Sequence, residues 1–122
     1  MQQPDNSTLL VFRQPPYGQA LARAGYDLAL AAAAFDQPIS LLFMDDGVWQ
    51  LLPEQDPSAI EAKSVARTLD SLPLYDIDSV YVETASLVSR GLSVEQLRAN
   101  VLLLDDTEVG SFINGFGQVI TF

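Results

Sequence analysis

The chain has 122 residues, enough for one domain of common size, and carries 16 acidic against 6 basic side chains for a net charge of −10. That field repels a phosphate backbone and an anionic membrane surface, so direct nucleic-acid or membrane binding is not expected. Cysteine and histidine are both absent, which removes disulfides, thiolate chemistry, imidazole metal ligation and the usual general base.

Hydrophobic residues make up 48% of the chain and charged ones only 18%, below the roughly 25% typical of soluble domains. Part of the apolar surface is therefore expected to be buried against another chain. Met1 to Asp5 carry no charged-then-apolar leader, and no apolar run approaches the about 18 residues of a membrane span. A soluble, cytoplasmic protein is expected, as one domain over 1–122 with residues 1–7 frayed.

Thr8 to Phe12 form a continuous apolar run, the pattern of a strand buried on both faces. Gln14-Pro15-Pro16-Tyr17-Gly18 breaks it. Gln19 to Phe35 lack proline and are dense in Ala and Leu, so a helix is predicted there. Asp36-Gln37-Pro38 ends it. Ile39 to Met44 read as the second strand and Asp45-Asp46-Gly47 as a turn. Val48 to Leu52 read as a helical turn before Pro53.

Ser58 with Glu61 three residues on has a capping-box pattern, predicting a helix to about Leu72 that stops at Pro73. Asp78 to Val82 are the third strand. Ser86 to Arg90 form a short helix closed by Gly91, and Ser93 caps a further turn with Gln96. Val101 to Leu104 are the fourth strand. Asp105-Asp106-Thr107 opens a helix to about Asn114, and Gln118 to Phe122 are the last strand. Apolar strands alternating with helices predict an α/β chain: a three-layer α/β/α domain with a five-stranded, mainly parallel sheet.

In such folds chemistry gathers past the carboxyl ends of the strands. The first loop, R-Q-P-P-Y-G-Q, has two prolines that offer no N–H and one glycine, a poor phosphate cradle. Asp45 and Asp46 could assist Mg²⁺ binding, but read more simply as a turn ahead of a helix. Val48, Trp49, Leu51 and Leu52 follow at once, and a Trp there suits an interface as well as it suits the core. Glu83, Thr84 and Ser86 sit past the third strand with no histidine to activate them. A capping or solvated carboxylate is the plainer reading of Glu83.

The ordered stretches F-R-Q-P-P-Y-G, R-A-G-Y-D-L-A-L-A, L-L-F-M-D-D-G-V-W-Q-L-L-P, L-P-L-Y-D-I-D-S-V-Y-V and A-S-L-V-S-R-G-L run along nearly the whole chain. Together they resemble the DsrE/DsrF/DsrH-type sulfur-relay proteins, within them the DsrF-like (TusC) branch. The resemblance implies the same α/β/α fold. It implies a non-catalytic subunit with TusB-like and TusD-like partners in a heterohexamer, serving 2-thiolation of the tRNA wobble uridine. In that family the sulfur-carrying cysteine lies just past the third strand. By motif register its place here is Glu83, so the site is positioned but lacks a thiol.

No cofactor or metal is expected. The interface candidates are Val48, Trp49, Leu51, Leu52, Glu83, Ser86 and Leu87. Two other classes remain open from the residues alone. One is a stand-alone α/β enzyme using Asp45, Asp46 or Glu83, with or without Mg²⁺. The other is a flavodoxin-like small-molecule binding module.

Overall fold

The computed structural model describes residues 7–14, 20–52, 71–75, 77, 79–97 and 101–122. Five strands form one sheet: β1 (Thr8–Phe12), β2 (Ile39–Phe43), β3 (Val80–Glu83), β4 (Leu102–Leu104) and β5 (Gln118–Thr121). Their order is β4-β3-β2-β1-β5, and every neighbouring pair is parallel. The chain thus builds outward from β1 through β2 and β3 to β4, then returns to add β5 on the other flank. β4 and β5 are the two edges.

Side-chain alternation along β1 separates two cores, as a strand covered on both faces requires. Leu10 and Phe12 face one layer, with Leu41, Phe43, Val80 and Val82 from the neighbouring strands. Helix α1 (Ala20–Ala34) covers that layer through Tyr26 and Ala29. Leu9 and Val11 face the other layer, with Leu42 and Leu104, under Val109 and Phe112 of helix α3 (Asp106–Asn114). The expected three-layer arrangement is present.

Phe12 anchors the first core. Its ring stacks on Tyr26 at 4.8 Å, Phe43 at 5.0 Å and Phe122 at 5.5 Å between centroids. Helix α1 ends where Asp36 turns left-handed (φ 58°), letting the Gln37 N–H close on the Ala32 carbonyl at 3.0 Å.

Several predicted boundaries shift. Asp45-Asp46-Gly47 and the following turn are one 3₁₀ helix, Asp45–Leu51, because Val48 and Leu51 share a face at the tight i, i+3 spacing and both enter the core. β3 includes Glu83, and helix α2 (Thr84–Ser89) starts two residues before Ser86. Ser71 is the last α-helical residue before Pro73, which sits inside a 3₁₀ turn, Leu72–Tyr75, where its missing N–H costs nothing in the first turn. The helix predicted from Ser58 lies outside the described residues up to Ser71. Ser93 and Gln96 form the expected capping box, and Gly91 takes the left-handed conformation (φ 68°) just past α2.

Candidate functional site at the carboxyl end of the sheet

The carboxyl ends of β1, β2 and β3 bring Arg13, Asp45, Asp46, Glu83, Ser86 and Arg90 together. The approach of β1 to the 3₁₀ helix is set by backbone: the Met44 N–H donates to the Phe12 carbonyl at 3.1 Å. One residue type alone fits beside it. A Cβ on Gly47 would land on the Phe12 carbonyl oxygen, well inside van der Waals contact.

Ser86 is the hub. It is 3% exposed, and its hydroxyl donates to Glu83 Oε1 while accepting the Asp45 N–H at 2.8 Å. Asp45 holds a left-handed backbone (φ 52°), a conformation in which a short polar side chain is the least costly choice after glycine. Its carboxylate pairs with Arg13 Nε at 2.6 Å. Asp46 pairs with Arg90, Nε at 3.2 Å and Nη2 at 3.1 Å. Arg90 Nη1 in turn donates to the Ser86 carbonyl at 3.2 Å and to Ser89 Oγ at 3.0 Å. Both ion pairs are substantially exposed and contribute about 0–1 kcal/mol each. Their effect is to fix where the loops lie.

Behind this rim, Gln50 is buried. It accepts from the Tyr26 hydroxyl at 2.5 Å and donates to the Gln14 carbonyl at 2.8 Å. Burial pushes the Tyr26 hydroxyl well above the usual phenol range, so it stays a neutral donor.

Each of the three candidate carboxylates therefore has its own partner: Arg13 for Asp45, Arg90 for Asp46 and Ser86 for Glu83. They do not converge on a shared ligand. Among the described residues no group of three or more acidic residues is placed to hold a metal ion. The Ser86 hydroxyl is buried and is held between Glu83 and the Asp45 N–H. The arrangement ties three loops together. The first loop beyond Gln14 lies outside the described residues.

Of the interface candidates, Val48, Leu51, Leu52 and Leu87 fill the chain's own core or its margin, and Ser86 is the buried hub. Apolar character alone did not separate the two roles. Trp49, Glu83 and Thr84 remain partly exposed. Sequence reasoning missed Arg13 and Arg90. Their signal was position: each follows an element end, and the chain has few bases to spend.

A second feature lies beside this cluster. Thr84, Ala85, Val88 and Ser89 of α2 face Asp105 and Asp106 across a groove of about 370 Å³.

A parallel five-stranded α/β/α domain with an ordered but thiol-free strand end defines the class. The DsrE/DsrF-like family matches residues 6–122, and the chain belongs to it. A Pseudomonas aeruginosa protein named Protein TusC homolog is 41% identical over 115 residues, 94% of this chain and 97% of its own length. A Vibrio parahaemolyticus protein of the same name is 38% identical over 112 residues, 92% of this chain and 95% of its own. The crystal structure of the ychN protein from E. coli shares the fold, with a TM-score of 0.75 over 100% of both chains at 22% identity. No helix among the described residues is long and apolar enough to cross a membrane.

Proposed function

We propose that this chain is a TusC-type subunit of a sulfur-relay complex. It holds a persulfide-carrying partner in a relay that ends in 2-thiolation of the wobble uridine of tRNA. The observation that carries the non-catalytic part is chemical. Persulfide sulfur rides on a thiol, and the 122 residues include no cysteine. Glu83 stands where the family's sulfur-carrying cysteine belongs, and its carboxylate is engaged by the Ser86 hydroxyl. The likeness to TusC homologues over more than nine-tenths of the chain supports the assignment.

The partners on this reading are TusB-like and TusD-like subunits in a cytoplasmic heterohexamer. Trp49 and Glu83 are the accessible members of the interface set. The net charge of −10 leaves tRNA contact to other proteins.

The test is native mass after co-expression with TusB-like and TusD-like subunits. One stable mixed complex is expected; a monomer that ignores both overturns the reading. In cells, Glu83→Ala should leave tRNA thiolation near the wild-type level. A severe loss with the complex still assembled would show that Glu83 does chemistry.

A further inference from the structure

The groove between α2 and the start of α3 has a consistent chemistry. Its floor is apolar: Ala85 is exposed and Val88 is 71% exposed, large for a Val on a short helix packed against a sheet. Its far wall is acidic, Asp105 and Asp106, with Glu108 on the same first turn of α3. The ion pairs among the described residues join Arg13 to Asp45 and Arg90 to Asp46, and none reaches these three acids.

Asp105 and Asp106 are neighbours at the start of α3. Hydrogen bonding to Asp105 and the Asp105 charge push the Asp106 carboxyl up from its ordinary value. A cation placed there would relieve that repulsion.

The strand leading into the groove is also uncovered. β4 is an edge of the sheet, and Leu102 and Leu103 are 53% and 49% exposed. An edge strand, as β4 is among the described residues, that carries exposed apolar side chains favours a cover, and one beside an acidic wall favours a cover of opposite charge. A second copy of this chain brings another charge of −10 and does not meet that need.

We propose that the groove between α2 and α3, continued by the β4 edge, is the seat of a different subunit of the same complex. That subunit presents a segment with an apolar side chain for Val88 and a lysine or arginine for Asp105 and Asp106. The inference rests on the subunit reading above and assigns that role a surface.

Two variants test it in the complex reconstituted with TusB-like and TusD-like subunits. Val88→Glu and Asp106→Lys change exposed positions outside both cores, and circular dichroism and thermal melting check that the fold is kept. Each should weaken assembly about tenfold or more. Carbodiimide cross-linking of the wild-type complex should join Asp105 or Asp106 to a lysine of a partner subunit. Wild-type assembly by both folded variants, with no such cross-link, overturns the groove assignment while leaving the subunit reading intact. Failure of the wild-type chain to join either subunit overturns both.

Discussion

Ser86 ties helix α2 to the turn after β2: its Oγ accepts the Asp45 N–H at 2.8 Å across 41 residues of sequence. The same hydroxyl donates to Glu83. One buried oxygen therefore fixes both the left-handed Asp45 and the carboxylate at the end of β3. Ser86→Ala removes a donor and an acceptor together and leaves the Asp45 N–H without its partner. The expected cost is about 1–3 kcal/mol, read as a lower midpoint in urea unfolding with an unchanged slope. A midpoint equal to wild type would mean that water replaces the hydroxyl without loss.

Gly47→Ala should be far more damaging. The added Cβ meets the Phe12 carbonyl, which is backbone of a central strand and cannot swing aside. Relief requires pulling the 3₁₀ helix off β1, which would also uncover Val48 and Leu51. A loss of about 3 kcal/mol or more is expected, seen as insoluble expression or a sharply lowered Tm.

Tyr26→Phe probes the buried polar pair behind the site. The ring still stacks on Phe12, so the packing stays, while Gln50 Oε1 loses its donor inside the core. About 1–2 kcal/mol of destabilisation is expected by urea unfolding. The double variant with Gln50→Leu should recover part of it, because that change also removes the stranded acceptor. It does not recover all, since Gln50 also holds the Gln14 carbonyl.

The parts of the fold that rest on local chemistry were legible in the sequence. Thr8–Phe12 is a strand with the predicted bounds because a threonine and four consecutive apolar residues bury on both faces. Asp105 caps α3, and Ser93 caps its 3₁₀ turn, because their partners lie within three residues. What was not legible depends on distant residues. Asp45 and Asp46 look like a free acidic turn until Arg13 and Arg90 arrive from 32 and 44 residues away. Val48 and Leu51 look as suited to an interface as to a core. Only the closeness of β1 to Gly47 decides which way the 3₁₀ helix faces. The strand order has the same origin, since parallel pairing carries no signature in either strand alone.

The capping box of α3 gives a pH dependence whose sign can be worked out. Hydrogen bonds from the Asp106 side chain and the Thr107 N–H hold the Asp105 carboxyl below its ordinary range. Between that lowered value and the unfolded one, the unfolded chain binds more protons, so Asp105 stabilises above the unfolded value and stops doing so as pH falls through the folded one. Asp106 runs the opposite way. Its raised value favours the folded state below its unfolded pKa, and that benefit is lost as pH rises through the folded one. Asp105→Ala removes the cap and the neighbour that raises Asp106. The variant should melt below wild type at pH 7, and the gap should narrow as the pH falls through the lowered Asp105 value. Thermal melts of both proteins across that range check it. A gap that stays constant with pH would mean that the cap acts through its oxygen geometry alone, with no contribution from charge at the helix N-terminus.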